Sequence, residues 1–392
     1  MRYAIVHYHE LALKGRNRDY FEQRLAQNIR LALKGLGAGP VELLRSRIRV
    51  TLPPGTDIAA VRARLARCCG IANFSLARAV PLDLAQPNLA ALGTAVKEEL
   101  ATQSFGSFRV TAKRADKRLT LTSTEVEREV GAVIYEQMGK AVNLKHPDLT
   151  VFIELLTKEA YVSVEKIAGP GGMPVGVSGT VACLISGGID SPVASARMIK
   201  RGCRAVFVHF SGRPLVSRAS EDKVRELVQV LSASLYETRL YVIPFGEIQR
   251  EIVVNTPAPF RVVLYRRMML RITETLAKQE GCWGLVTGDS LGQVASQTPE
   301  NLSVVGEVAT LPILRPLIGM DKLEITDEAK RLGTYDISIE PDQDCCKLFT
   351  PPHPSTKTRL EELLAVERVL DIPRLVQQGL DKAERTDITF PA

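Results

Sequence analysis

Short apolar runs alternate with amphipathic stretches in a regular order through the second half of the chain. Apolar runs bounded by turn residues predict buried strands, and apolar residues at helical spacing predict the helices between them. The strands are predicted at 181–185, 205–210, 240–244 and 284–287, and the helices at 192–201, 221–231, 246–254 and 265–279. This order predicts a doubly wound sheet of parallel strands covered by helices.

The first 80 residues follow a different pattern, which suits a small α+β unit. Strands are predicted at 3–8, 43–52 and 74–80, and helices at 19–33 and 57–69. The order of strand, helix, strand, helix and strand is typical of a ferredoxin-like unit. Period-two alternation places Arg45, Arg47 and Arg49 on one face of the second strand.

A second mixed unit is predicted between residue 81 and a Gly- and Pro-rich stretch at 168–174, which has the composition of a linker. Thr122 and Glu125 have the spacing of a capping box, which predicts a helix that continues to about Met138. The other elements are a helix at 88–101 and strands at 107–113, 150–155 and 160–165. The predicted domains are therefore 1–75, 76–167 and 176–392, with the linker at 168–175.

The turn after the first strand of the last domain is rich in glycine and serine, with the sequence Leu184-Ile185-Ser186-Gly187-Gly188-Ile189-Asp190-Ser191. Glycines let a ligand approach the backbone closely, and free N–H groups at the start of the following helix favour an anion. The turn lacks the lysine of a G-x-x-x-x-G-K-[ST] loop. We interpret it as a pyrophosphate cradle, and the alternative is an ordinary Gly-rich turn.

Two further polar turns, at 209–212 and 287–290, follow other predicted strands of the same sheet. Because the carboxyl ends of parallel strands share one edge, the three turns are expected to meet there.

Composition and charge limit the class of protein. Of the 392 residues, 45% are apolar and 24% charged, no apolar run is long enough to span a membrane, and the first residues lack the features of a signal peptide. We therefore expect a cytoplasmic protein. The seven cysteines show no C-x-x-C spacing, which argues against a disulfide framework and against a zinc or iron–sulfur site.

Positive charge is concentrated in the first half of the chain. Residues 1–175 contain 25 Lys and Arg against 17 Asp and Glu, whereas residues 176–392 contain 26 against 27. This asymmetry indicates a polyanion-binding region joined to a nearly neutral enzyme, and a solvated basic surface without a partner is the alternative.

Four segments resemble those of the tRNA uracil 4-sulfurtransferases, also called 4-thiouridine synthetases or the ThiI family. Residues 186–191 resemble the family's PP-loop, which is shared by ATP pyrophosphatases, and residues 316–325 resemble a second pyrophosphatase segment. Residues 9–18 resemble its ferredoxin-like domain, and residues 108–117 resemble its RNA-binding THUMP domain, for which residue 60 is an alternative start. The resemblance thus implies a multi-domain α+β and α/β protein with a PP-loop ATP pyrophosphatase domain.

The resemblance implies an enzyme that uses ATP and Mg²⁺ to adenylate the C4 oxygen of uridine 8 in tRNA, which a persulfide sulfur then replaces. A link to thiamin thiazole synthesis is also implied. The chain ends roughly 45 residues after Cys346, too few for the rhodanese domain of long members, so it resembles the short form.

Several partners follow from this resemblance. They are tRNA, a cysteine desulfurase as persulfide donor, a thiamin sulfur-carrier protein and a second copy of the chain, with no membrane. Two other functions stay open: another PP-loop ATP pyrophosphatase, such as a 2-thiolating tRNA enzyme or an amide-forming ligase, and a non-catalytic tRNA-binding protein.

The resemblance, together with the anion cradle, assigns a set of ATP-binding residues. They are Leu184, Ile185, Ser186, Gly187, Gly188, Ile189, Ser191, His209, Phe210, Arg266, Gly288 and Gln297. By default, Phe210 is interpreted as a core residue and His209 as a packing residue at a strand end, with contact to the nucleotide as the alternative. Arg267 competes with Arg266 for contact with a phosphate.

Four residues are candidates for catalysis. Asp190 suits a magnesium ligand next to phosphate, with a helix cap as the alternative, and Lys322 suits charge stabilisation, with a surface lysine as the alternative. The family's sulfur-transfer cysteine corresponds to Cys345 or Cys346, between which the sequence does not decide. The other adjacent pair, Cys68 and Cys69, is interpreted as packing.

Binding of tRNA is assigned to basic residues of the first half, which would contact phosphates and favour recognition of folded RNA shape. These residues are Lys14, Arg16, Arg18, Lys113, Arg114, Lys117 and Arg118.

Overall fold

The computed structural model describes residues 2–83, 89–115, 120–341 and 349–391. The chain divides into two compact units, Met1–Pro174 and Val175–Ala392. Each unit is built on its own β-sheet, and the division falls next to the Gly- and Pro-rich stretch at 168–174.

The first unit contains nine strands and four α-helices among its described residues. They are β1 Arg2–His7, α1 Arg18–Ala32, β2 Val41–Leu44, β3 Arg47–Leu52, α2 Ile58–Leu65, β4 Asn73–Pro81, α3 Leu89–Leu100, β5 Ser107–Arg114, α4 Ser123–Met138, β6 Ala141–Val142, β7 Leu149–Leu155, β8 Glu159–Ser163 and β9 Ile167–Ala168. Short 3-10 helices cover Glu10–Leu13 and Gly15–Asn17.

The strands of the first unit form one sheet in the order β2-β3-β1-β4-β8-β7-β5-β6, with β9 paired to β4. Strand β4 joins its two halves, because its residues 73–78 pair with β1 and its residues 78–81 pair with β8. The predicted ferredoxin-like and THUMP parts therefore share a continuous hydrogen-bonded sheet.

The capping box predicted at the start of α4 is confirmed. The Thr122 side chain accepts from the Glu125 backbone N–H, and the Glu125 carboxylate accepts from the Thr122 backbone N–H. The helix ends at Gly139, whose φ of 64° lies in the left-handed region that favours glycine. Helices α3 and α4 bury Val96, Val130 and Ile134 against the sheet.

The single strand predicted at 43–52 is wrong, because the structure has a hairpin of β2 and β3 there. The chain reverses at Arg45 and at Ser46, whose φ is 64°. A two-residue turn preserves the alternation of apolar and polar positions, so the pattern alone does not reveal the reversal. Arg45 consequently leaves the row predicted for it with Arg47 and Arg49.

Arg47 and Arg49 form ion pairs with strands of the THUMP part. Arg47 lies 3.1 Å from the Glu154 carboxylate, and Arg49 pairs with Glu159 and donates to the Tyr161 hydroxyl over 2.8 Å. Part of the positive charge in the first half is therefore neutralised within the sheet.

The second unit contains six strands and nine α-helices among its described residues. They are β10 Thr180–Leu184, α5 Asp190–Lys200, β11 Arg204–Ser211, α6 Ala219–Leu235, β12 Glu237–Pro244, α7 Gly246–Asn255, α8 Arg261–Gln279, β13 Gly284–Val286, α9 Pro299–Gly306, β14 Ile313–Leu314, α10 Lys322–Leu332, α11 Tyr335–Ile339, α12 Leu360–Glu367, α13 Ile372–Asp381 and β15 Glu384–Thr389.

The strands of this unit lie in the order β14-β13-β10-β11-β12-β15. The predicted parallel sheet is confirmed for β13, β10, β11 and β12, and two edge strands extend it. Strand β14 is parallel but only two residues long, and β15 is antiparallel to β12 with mainly polar residues. Neither strand carries the apolar run by which the others were predicted.

A buried ion network holds α12 against α8. Arg267, whose side chain is 1% exposed, donates to both Glu367 oxygens over 3.0 and 2.9 Å, and Arg271 donates to the same carboxylate over 2.6 and 2.9 Å. Burial acts to raise the pKa of Glu367, but the two arginines outweigh it, so the pKa lies below its usual range.

Glu367→Gln should lower the free energy of unfolding of the second unit by about 3 kcal/mol at pH 7, because the buried Arg267 and the partly buried Arg271 lose the carboxylate they share, which leaves Arg267 only its pair with Glu307. Urea unfolding followed by the fluorescence of Trp283, the single tryptophan of the chain, measures this loss. The matched control is Glu251→Gln at the exposed pair with Arg374, where we expect a loss below about 1 kcal/mol.

The stabilising effect of Glu367 should depend on pH. The lowered pKa means that the ionised Glu367 contributes stability above the usual pKa of 4.5, and that this contribution is lost as the pH falls through the lower pKa of the folded state. The wild type and Glu367→Gln should therefore converge in stability at acid pH. Equal losses in the two variants at pH 7 would contradict the buried network.

Candidate active site

A cleft of about 290 Å³ opens at the carboxyl ends of β10, β11 and β13. The structure thus brings the three predicted polar turns to one place. Of the predicted ATP-binding residues, those that line the cleft are Leu184, Ile185, Ser186, Gly188, Ser191, His209, Phe210, Arg266, Gly288 and Gln297. Asp190 also lines it, whereas Gly187 and Ile189 lie in the same loop without lining the cleft.

The loop between β10 and α5 is held closed by the two serines at its ends. The Ser186 backbone N–H donates to the Ser191 hydroxyl over 2.9 Å, and the two hydroxyls lie 3.2 Å apart. The Gly188 backbone N–H donates to the Ser186 hydroxyl over 3.3 Å. These bonds give the loop a defined shape before any ligand binds.

Gly288 is required by the loop itself. A Cβ atom added at Gly288 would lie 2.8 Å from the Ser191 backbone nitrogen and 3.0 Å from the Ser191 Cα. The group that approaches the Gly288 backbone in the structure is the first turn of α5. The turn after β13 therefore packs directly against the loop.

Asp190 is the first residue of α5. The capping position is Ile189, which makes no side-chain capping bond. The Asp190 carboxylate instead lies 2.5 Å from the Lys322 ammonium and accepts from the Gln293 amide over 2.9 Å. The structure thus disfavours the helix-cap interpretation and brings together two predicted catalytic residues that are 132 positions apart.

Asp289 was not predicted, yet its nearly buried carboxylate organises one wall of the cleft. It pairs with Arg266, accepts from the Thr287 hydroxyl over 2.7 Å and lies 3.3 Å from Arg315. Burial acts to raise its pKa, but Arg266, Thr287 and Arg315 outweigh it and hold the pKa below its usual range. The only sequence signal was its place in the polar turn at 287–290.

Arg266 and Arg267, which compete for the predicted contact with a phosphate, lie in different surroundings. Arg266 lines the cleft and donates to the Ser296 carbonyl over 3.0 Å as well as to Asp289. Arg267 is buried in the network with Glu367 and is not a cleft residue.

His209 and Phe210 combine packing with a place in the cleft. His209 is buried, with Nδ1 3.0 Å from the Ile185 carbonyl oxygen, and Phe210 packs edge-to-face on Phe245 at 5.2 Å between ring centroids. Both also line the cleft. Tyr265 is a further lining residue that was not predicted, and burial raises its pKa to about 12.

The five described cysteines are all buried. Burial raises the pKa of Cys183 to about 12 and those of Cys203 and Cys282 to about 11, which disfavours the reactive thiolate. Cys345 and Cys346, the predicted sulfur-transfer candidates, lie outside the described residues.

The predicted tRNA-binding residues differ in whether another group of the protein already contacts their charged end. Lys113 and Arg16 are exposed, and the Lys14 ammonium lies 5.4 Å from the Phe21 ring centre. Arg18 pairs with Glu22 over 2.5 Å, and Arg114 donates to the Leu121 carbonyl over 2.8 Å. The remaining two, Lys117 and Arg118, lie outside the described residues.

The described residues contain neither a cluster of metal ligands nor a membrane-spanning helix. Among them, no three His, Cys, Asp or Glu side chains are grouped so that they could hold a metal ion. Within the same residues, no helix has the length and apolar character needed to cross a membrane.

The profile of the ThiI thiamine biosynthesis protein family matches residues 176–372. Those of the ThiI ferredoxin-like domain and the THUMP domain match residues 3–75 and 88–165. This chain belongs to the ThiI family. The fold class predicted from the sequence, with a ferredoxin-like part, a THUMP part and a parallel-sheet PP-loop domain, is therefore confirmed.

ThiI relatives extend over nearly the whole chain. A probable tRNA sulfurtransferase from Thermus thermophilus is 46% identical, covering 98% of this chain and 93% of its own length. Another from Moorella thermoacetica is 43% identical, covering 97% and 96%. The crystal structure of a 4-thiouridine synthetase–RNA complex with bound ATP superposes with a TM-score of 0.88 at 33% identity, over 99% of this chain and 100% of that one.

Gly288→Ala should loosen the loop at 186–191, because the added Cβ must displace the Ser191 backbone at a cost of about 1–3 kcal/mol. Hydrogen exchange measured by mass spectrometry should show faster exchange of the amides in this loop. The control is Gly319→Ala, where the added Cβ meets nothing within 4 Å. Unchanged exchange in Gly288→Ala would argue against the packing described for the loop.

Proposed function

We propose that this chain uses ATP to adenylate the C4 oxygen of uridine 8 in tRNA and then replaces that oxygen with sulfur to give 4-thiouridine. The observation that carries the proposal is the meeting of the 186–191 loop with the Asp190–Lys322 pair at one cleft. The names of the relatives, tRNA sulfurtransferase and 4-thiouridine synthetase, support it independently.

The two ends of the cleft suit the two ends of ATP. The apolar end, lined by Val208, Phe210, Val262 and Met269, suits the base. The other end offers the backbone amides of the 186–191 loop at the start of α5, a setting that stabilises a pyrophosphate group. The Arg266 guanidinium is a further cation in the lining of the cleft.

In the first step, the uracil O4 attacks the α-phosphorus of ATP, pyrophosphate leaves, and the N3 proton of uracil is lost to solvent. Lys322 can neutralise charge that develops on the phosphate, and Asp190 holds the Lys322 ammonium in place over 2.5 Å. In the second step, the outer sulfur of a persulfide attacks C4 and AMP leaves with the former O4, so that the base is joined to the carrier through an S–S bond. A second thiol then attacks the inner sulfur and breaks this bond, which leaves 4-thiouridine on the tRNA and a disulfide between the two thiols. Adenylation is needed because an oxygen bonded to phosphate is a far better leaving group than a carbonyl oxygen.

Magnesium is proposed as the companion of ATP. Asp190 is a single carboxylate beside the phosphate-binding loop, and Mg²⁺ is commonly held by one or two carboxylates together with substrate phosphates. The chain thus fits a metal brought by the nucleotide, which would neutralise phosphate charge. Asp190 would hold it and at the same time orient Lys322.

Sulfur is proposed to pass through Cys345 or Cys346. The raised pKa values of Cys183, Cys203 and Cys282 make these buried thiols poor nucleophiles, and Cys68 and Cys69 are buried in the first unit, which favours Cys345 and Cys346. A cysteine desulfurase is the proposed persulfide donor. A role in thiamin thiazole synthesis with a sulfur-carrier protein, a homodimer and a cytoplasmic location also stay predictions.

The first unit is proposed to bind tRNA. Its match to the THUMP domain and the exposed Lys113 and Arg16 support phosphate contacts that set the register of the RNA. Arg18 is better suited to holding local structure, because Glu22 already pairs with its charge. Arg114 keeps its charge but has one donor bound to the Leu121 carbonyl.

Asp190→Asn should lower tRNA-dependent pyrophosphate release by about 100-fold or more, because Lys322 loses its counter-charge and the proposed Mg²⁺ loses a carboxylate ligand. Pyrophosphate release from ATP with unmodified tRNA is measured, and tRNA affinity is expected to stay constant. The control is Asp327→Asn, an exposed carboxylate on α10. Full pyrophosphate release by Asp190→Asn would contradict the proposed step.

Cys345→Ser and Cys346→Ser separate the two steps. Both variants should still release pyrophosphate, and the one that removes the acceptor thiol should form no 4-thiouridine, as measured by mass spectrometry of tRNA nucleosides. Cys203→Ala, which removes a buried thiol, is the control and should still form it. Normal 4-thiouridine in both serine variants would mean that sulfur arrives directly on an external persulfide.

A further inference from the structure

Gln293 contacts Asp190 in the proposed reaction site, and it has no role in the two chemical steps. Its amide nitrogen donates to Asp190 Oδ2 over 2.9 Å, while the Lys322 ammonium contacts Asp190 Oδ1 over 2.5 Å. Gln293 therefore stands beside the group that is expected to meet the α-phosphate of ATP.

The contact with Asp190 fixes which way the Gln293 amide points. A carboxylate offers only acceptors, so the NH₂ group of the amide must face Asp190 and the carbonyl oxygen must point elsewhere. Among the described residues, no donor contacts this Oε1 atom. The site thus presents one oriented hydrogen-bond acceptor near the reacting phosphate.

Three exposed apolar side chains, which together we call the apolar rim, lie close in the sequence to Gln293 or to Lys322. Leu291, Val294 and Leu323 are 55%, 51% and 76% exposed. Leu291 and Val294 flank Gln293 within its turn, and Leu323 follows Lys322. Val294 also lines the cleft, so this apolar rim is continuous with the nucleotide site.

We propose that Gln293 and the apolar rim of Leu291, Val294 and Leu323 recognise the uracil base that is to be modified. The Gln293 Oε1 accepts a hydrogen bond from uracil N3–H, and the aliphatic side chains support the ring after it leaves the RNA stack. This inference rests on the proposed function and deepens it by assigning the base-recognition residues of the same site.

The chemistry of the base favours this assignment. Uracil must keep O4 free to attack phosphorus, so recognition has to use another group, and the neighbouring N3–H is a donor. Cytosine carries an acceptor at N3, which would face the Gln293 oxygen without a proton between them. The same residue would thus select uracil while leaving the reacting oxygen exposed.

The test uses tRNA with 3-deazauridine at position 8, which keeps O4 but replaces N3–H with C–H. Single-turnover adenylation is measured for both tRNAs with the wild type, Gln293→Met and Gln293→Leu. The wild type should prefer uridine by about 10-fold more than either variant does, as expected for one lost hydrogen bond. Comparing these ratios cancels the intrinsic reactivity of the analogue and any general loss of activity in the variants.

The apolar rim is tested separately. Leu323→Ser should raise the KM for tRNA several-fold more than the KM for ATP, whereas Val254→Ser, an equally exposed apolar residue on α7, should change neither. An unchanged preference for uridine in both Gln293 variants, or an unchanged KM for tRNA in Leu323→Ser, would overturn the inference. If the wild type releases no pyrophosphate with uridine tRNA, the proposed function itself has failed.

Discussion

The parallel alignment of β10 between β11 and β13 is the constraint on which the active site depends. It brings three turns, far apart in the sequence, to one edge, so that Ser186, His209 and Gly288 line a single cleft. The alignment also leaves little freedom in spacing, because the backbone of Gly288 touches that of Ser191. The shape of the loop at 186–191 is therefore partly imposed by the turn after β13, which lies about a hundred residues later in the sequence.

Charge in the cleft is arranged in two layers. Asp289 is buried among Arg266, Arg315 and Thr287, and its ion pair with Arg266 holds that side chain at the wall of the cleft. Asp190 is more exposed and shares its carboxylate between Lys322 and Gln293. The inner carboxylate therefore organises the wall, whereas the outer one is proposed to hold the metal that accompanies the substrate phosphate.

The parts of the fold that were predictable are those with strong local signals. Apolar runs predicted the four central strands, and the spacing of Thr122 and Glu125 predicted the start of α4. The hairpin at Ser46 and the polar strand β15 were missed, because neither interrupts the alternation nor adds an apolar run.

In the site, the loop and most lining residues were predictable from motif and resemblance. The contacts of Asp190 with Lys322 and Gln293 were not, since they join residues more than a hundred positions apart. Asp289 and Tyr265 were missed for a similar reason: burial gives them their role, and a single sequence carries no direct signal of burial.

Strand β4 carries a consequence for how this protein can be divided or recombined. Its first residues complete the sheet of the ferredoxin-like part, and its last residues seat the THUMP part through β8. A cut at residue 75 would leave each fragment with half a strand and an unpaired sheet edge, the kind of surface that promotes aggregation. A chimaera that borrows either the ferredoxin-like or the THUMP part should therefore take both, with its junction in the glycine-rich stretch before residue 175.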